Sequence, residues 1–107
     1  MEERDITYIG TKLKVNVHHE PIQGLTMDEY DFEVEFYCSS KKKLKYKKSE
    51  LIRIDESNYV ARVDTTIVGL GNLKCNIIAN IPDGDFIERI RPEIEVIEGI
   101  TTIVNLP

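Results

Sequence analysis

The stretch from Asp31 to Lys48, DFEVEFYCSSKKKLKYKK, alternates apolar and charged residues twice over, and this constrains the fold more than any other feature of the chain. Phe32, Val34, Phe36 and Cys38 alternate with Asp31, Glu33, Glu35 and Tyr37, which is the period of two of a half-buried strand. After Ser39 and Ser40 the alternation resumes, with Leu44 and Tyr46 in one phase and Lys43, Lys45 and Lys47 in the other. A chain reversal near residues 39–42 sets Phe36 opposite Leu44 and Val34 opposite Tyr46 on a dry face. The same register sets Glu35 opposite Lys45 and Glu33 opposite Lys47 on a predicted solvent face. Lysines of this kind guard an edge strand against pairing with another sheet. The other reading of the strip is a single-strand nucleic-acid surface with Tyr46 interleaved among lysines, and the apolar phase of Tyr46 weighs against it.

Further strands follow from the same alternation. Lys12 to His18 carries Leu13, Val15 and Val17 in one phase, Tyr59 to Asp64 carries Tyr59, Ala61 and Val63, and Leu73 to Ile81 carries Leu73, Cys75, Ile77, Ala79 and Ile81. Ser49 to Asp55 is a short apolar run read as a strand. Glu20 to Asp28 is a loop marked by Pro21 and Gly24, and Thr65 to Asn72, with its GLGN, is a loop or bulge. Pro82, Asp83, Gly84 and Asp85 form a predicted turn in which Asp83 bonds the backbone and Gly84 takes positive φ. Phe86 to Arg91 could begin a helical turn that Pro92 stops. Ile94 and Val96 alternate with Glu93 and Glu95, which places those glutamates on a wet face; Glu98 and Gly99 then turn the chain into a last strand, Ile100 to Leu106. No segment has helical apolar spacing over three turns. The pattern predicts one domain over residues 1–107, an immunoglobulin-like β-sandwich of seven or eight antiparallel strands.

Charge and composition narrow the functions. At 107 residues the chain can bury a core without metal or disulfide. Six of the fourteen Lys and Arg lie between Lys41 and Lys48, leaving eight against nineteen acidic residues elsewhere. So acidic a body repels phosphate backbones, which makes nucleic acid an unfavourable partner. The N-terminal MEERDITYIG has no basic region followed by an apolar run, so no signal peptide is expected, and no segment has the length of a membrane span. The expectation is synthesis in the cytoplasm, with carriage in an assembly such as a virion as a further place. Cys38 and Cys75 both fall in apolar phases; a disulfide across the sandwich is one reading, and two buried thiols, favoured without a secretion signal, is the other.

Residues with chemical potential are spaced unfavourably for it. His18 and His19 are adjacent, so on a strand they point to opposite faces and cannot share one ion. Asp83 and Asp85 flank a glycine but lack the further acids of a calcium loop. Gly69 and Gly71 lead into a strand rather than a phosphate-cradling helix. Ser39 and Ser40 have no base at a recognisable spacing, and paired carboxylates such as Glu33 and Glu35 fall in a solvated phase where little raises their pKa. No catalytic group, cofactor or metal is therefore expected, and the chain is read as a non-enzyme. The candidate interaction surface comprises Lys43, Lys45 and Lys47, the turn acids Asp83 and Asp85, and Ile100 and Ile103 of the last strand. That strand is apolar in both phases, which predicts docking or self-association through it.

Four segments together resemble a known group: IGTKLKVNV (Ile9 to Val17), LTMDEYDFEVEFYC (Leu25 to Cys38), NYVARVDTTIVGLGNLKC (Asn58 to Cys75) and IPDGDFIERIRPEIEV (Ile81 to Val96). They are similar to small proteins encoded in phages and prophages of Bacteroides-type gut bacteria. The resemblance implies a virion- or tail-associated β-sandwich and supplies no catalytic residue. The expected function is thus a structural or interaction module with protein partners or copies of itself. The alternative is a surface-binding module for glycan or protein that uses the loops Glu20 to Asp28, Thr65 to Asn72 and Pro82 to Arg91; the absence of tryptophan weakens the glycan case.

Overall fold

The computed structural model describes residues 6–38, 42–85 and 89–107. The reversal expected at Ser39 and Ser40, the helical turn expected from Phe86 and the N-terminal MEERD lie outside the described residues in whole or in part. The described residues form eight strands: β1 (Ile6–Tyr8), β2 (Lys12–His18), β3 (Asp31–Tyr37), β4 (Leu44–Lys47), β5 (Ile52–Asp55), β6 (Asn58–Asp64), β7 (Gly71–Pro82) and β8 (Ile90–Val104). One sheet has the order β1-β8-β7-β3-β4 and the other β2-β6-β5. Taken in chain order, β8-β7-β3-β4 occupy the G-F-C-C′ places of an immunoglobulin-like sandwich and β2-β6-β5 the B-E-D places. Strand A of that plan, which would lie beside β2, has no counterpart among the described residues. Instead β1 runs parallel to the end of β8, Ile6 beside Thr102 and Tyr8 beside Val104, a departure from the all-antiparallel expectation.

The core forms where the apolar phases of the two sheets meet. Phe32, Val34 and Phe36 of β3 and Leu73, Cys75, Ile77, Ala79 and Ile81 of β7 join Val15 and Val17 of β2 and Tyr59, Ala61 and Val63 of β6. Phe32 and Tyr59 meet edge to face across the sheets with ring centres 5.2 Å apart. Cys38 and Cys75 are free and buried. They lie on the same sheet, Cys75 opposite Phe36 in the β3–β7 ladder, so a bridge across the sandwich is not available to them. Burial pushes the Cys75 thiol up to about 12.

The β3–β4 register is the one the alternation predicts: Glu33 beside Lys47, Val34 beside Tyr46, Glu35 beside Lys45 and Phe36 beside Leu44. One part of that expectation needs correcting. Glu35 faces outward yet is only 7% exposed, because β3 is an interior strand and Lys45 and Asn76 flank the glutamate from both sides. The Lys45 ammonium stands 3.4 Å from its carboxylate.

Two loops also differ from expectation. Thr65–Val68 is a single helical turn, α1, rather than a bulge; Asp64 caps it by accepting from the Thr66 N–H at 3.0 Å, and Val68 closes that end of the core. In the turn after β7, Asp83 does accept from the Asp85 N–H at 3.0 Å, but the positive φ belongs to Arg89, at 59°, and not to Gly84.

The last third of the chain departs furthest. Residues 90 to 104 form one fifteen-residue strand, and Glu98 and Gly99 do not turn it. Between the pairs Leu73–Thr101 and Cys75–Ile97, β8 carries two residues more than β7, and Gly99 accommodates the bulge at φ 74°. The continuous strand spans about 50 Å and accounts for the long dimension of a 53 × 28 × 27 Å body.

Candidate interaction surface

Pairing with β7 fixes which way β8 faces. Ile77, Ala79 and Ile81 point into the core, so their partners Glu95, Glu93 and Arg91 point inward too. The glutamates expected on the wet face are therefore on the inner one. Ile94 and Val96, expected inside, pair with Ile78 and Asn76 and face outward. Ile90, Ile94 and Val96 are 47%, 66% and 53% exposed, and the neighbouring Pro82 and Pro92 are exposed beside them. Among the described residues β8 has β7 on one side only along this arm, since β1 pairs with Thr102 to Val104.

The inward charges find partners at the end of the sandwich. Arg91 Nε lies 3.3 Å from Asp83, and its guanidinium also pairs with Glu93. His19 Nε2 lies 3.0 Å from Glu95, and His19 Nδ1 lies 3.1 Å from the Tyr30 hydroxyl. His19 and Tyr30 bracket the loop between β2 and β3, which a second cluster pins. Arg53 pairs with the Asp28 carboxylate, Tyr59 donates its hydroxyl to the same group, and Lys48 donates to the carbonyls of Asp28 and Tyr30. The Arg53 guanidinium, with the Tyr59 hydroxyl, lowers the Asp28 carboxyl to about 2. His18 points the other way, between Asn58 and Glu20. Its imidazole pKa is raised, mainly by its hydrogen bond to Glu20.

A cleft opens on the side where strand A is lacking. It holds about 430 Å³ and is lined by Leu13, Val15 and Val17 of β2, Ile6 of β1, and Ile97 and Ile100 of β8. Among the described residues Lys14 stands on its lining and no carboxylate does. Across β2–β6, Lys12 is opposite Asp64 but Lys14 is opposite Arg62, a like charge.

The residues singled out from sequence are not brought to one place. Lys43, Lys45 and Lys47 are exposed and belong to the β4 side, with Lys43 over the Tyr37 ring at 5.4 Å; β3 and β7 separate them from β8. The edge-strand reading of the lysines matches the place of β4 in the sheet. Asp83 is engaged by Arg91 at the far end of the β7–β8 hairpin, and Asp85 is exposed beside it. Ile100 is half-buried on the cleft. Ile103 is 1% exposed and its strand is flanked by β7 and β1, so Ile100 and Ile103 serve this domain's own core; the strand expected to reach Leu106 ends at Val104, and Leu106 beyond it is exposed. Ile90, Ile94 and Val96 were the residues missed. Their alternation was legible, but its phase depends on β7. Among the described residues no three His, Cys, Asp or Glu gather as a metal group, and no helix is long and apolar enough to cross a membrane.

Comparison with known proteins brings no family model, no curated protein and no solved structure that matches this chain.

Proposed function

We infer that the protein is a non-catalytic interaction module, an assembly part of a phage or prophage particle made in the cytoplasm and carried in the virion or its tail. The observation that supports this reading is the outward apolar stripe of Ile90, Ile94 and Val96 on a strand arm with one bare edge. Contiguous apolar surface of this kind marks contact sites in soluble proteins. A strand edge adds main-chain donors and acceptors that an incoming strand can take up. The charges of the same arm point inward, where Arg91 meets Asp83 and Glu93 and His19 meets Glu95, so the outward face left for a partner is apolar, while the Glu93 and Glu95 carboxylates stay 36% and 52% exposed.

Co-expression with the products of the genes flanking its own tests this function. A neighbouring product should co-purify with the native chain and be lost from the Ile94→Lys/Val96→Lys variant. Retention of every such product by the variant, or none by the native chain, would count against the reading.

A further inference from the structure

Among the described residues the strand edges of β2 and of the β8 arm have no neighbour, and their chemistry is complementary. On β2, Leu13, Val15 and Val17 hold the phase that faces the core and the cleft, while Lys12 and Lys14 hold the exposed phase, Lys14 at the rim of the cleft. On the β8 arm the pattern has the opposite charge: Ile90, Ile94 and Val96 form one face, and Glu93 and Glu95 belong to the other. Laid antiparallel, the two strands have a register that sets Leu13 opposite Ile94 and Val17 opposite Ile90. The same register sets Lys12 opposite Glu95 and Lys14 opposite Glu93. Both faces agree. The place beside β2 is the one strand A fills in an immunoglobulin-like sandwich, and the cleft beneath it has room for apolar side chains.

We propose that the β8 arm of one copy docks along β2 of the next, its isoleucines entering the cleft and its glutamates meeting Lys12 and Lys14, so that copies join head to tail. The inference rests on the reading of the β8 face as an interaction surface and names its occupant. Lys14, which has only the like charge of Arg62 across the β2–β6 pair, gains an acidic neighbour on its other side. The competing arrangement pairs β8 with a two-fold copy of itself. Centred at residue 94 or 95, that pairing sets Glu93 opposite Glu95 or Glu95 opposite Glu95, which like-charge repulsion opposes. Centred at residue 92 it sets Glu93 opposite Arg91 and Ile94 opposite Ile90 without repulsion, and such a two-fold dimer, which makes no use of β2, would survive Lys12→Glu/Lys14→Glu and so overturn the head-to-tail junction. A head-to-tail junction leaves one free β8 arm and one free β2 edge at every stage, so growth continues past a dimer unless the rotation closes a ring.

Sedimentation of the full chain over a concentration series tests the junction. The native protein should grow past a dimer, and growth should weaken as salt rises. Ile94→Lys, which blocks the arm, and Lys12→Glu/Lys14→Glu, which blocks the receiving strand, should each be monomeric, with association reduced about tenfold or more. An equimolar mixture of the two variants retains one good arm and one good receiving edge, so it should stop at a one-to-one dimer. That dimer also shows that both variants are folded. A native chain that stays monomeric overturns the proposal, as does one that stops at a dimer with none formed in the mixture. If the monomeric chain still takes up a neighbouring gene product through Ile94 and Val96, self-assembly fails while the interaction-module reading stands. If that uptake fails as well, both fall.

Discussion

Glu33-Val34-Glu35-Phe36 and Glu93-Ile94-Glu95-Val96 carry the same alternation and face opposite ways. In β3 the apolar phase enters the core and the glutamates face out; in the β8 arm the glutamates face in and the apolar residues face out. The difference lies in what surrounds each strand. β3 has neighbours on both sides and the second sheet beneath it, so burial of Phe32, Val34 and Phe36 sets its phase. The β8 arm takes its phase from β7, whose five inward apolar residues leave no choice of register, and the inner wall it meets includes His19, with Tyr30 behind. A period of two tells how a strand alternates, while its pairing decides which phase is buried.

Several measurements would break or sharpen that contrast. Phe36→Ala should cost about 3 to 5 kcal/mol in denaturant unfolding, as a fully buried aromatic does. A cost below about 1 kcal/mol would mean that the phase of β3 is not the buried one. Acid is the next lever, through the loop that meets the glutamates of β8. Asp28 is held at about 2 against an ordinary carboxylate near 4, so its contribution to stability is present above the ordinary value and is lost as pH falls from about 4 through 2. Asp28→Asn should flatten that limb of a stability-against-pH curve, and an unchanged limb would remove Asp28 from the account. Lys45→Glu removes the partner of a Glu35 carboxylate that is only 10% exposed and sets a like charge beside it, so it should lower stability by about 1 to 3 kcal/mol, more than an exposed pair would. Ile94→Ala should fall within about 0.5 kcal/mol of the native chain, despite removing as much aliphatic volume as many core changes. A large loss there would invert the contrast and place Ile94 inside.

The parts of the fold legible in the residues are those whose phase the core decides. The β3–β4 register, the bounds of β2 and the inward residues of β6 and β7 follow from alternation alone. Three features followed other rules. Thr65–Val68 is too short for a helical period, and only its caps mark it, Asp64 before it and Gly69, at φ 82°, after it. Gly99 is equally suited to a turn and to a bulge, since both need positive φ, and the fifteen-residue strand depends on β7 being long enough to carry it. The outward face of β8 was read inverted for the reason already given for its phase. The lysines of β4, prominent in the sequence, proved to be an edge with acidic neighbours.

The parallel pairing of β1 with the end of β8 has a consequence for how the chain comes together. The Thr7 and Thr101 hydroxyls meet at 2.8 Å across 94 positions of sequence, so this contact closes a loop of nearly the entire domain. Contacts of such separation slow folding, whereas the β3–β4 hairpin closes a short loop. During synthesis β1 emerges early and stays without its partner until Thr102 to Val104 have been added. The five-stranded sheet is thus completed only when residues 102 to 104 have been made, and lesions at residues 101 to 104 should appear in refolding rates as well as in equilibrium stability.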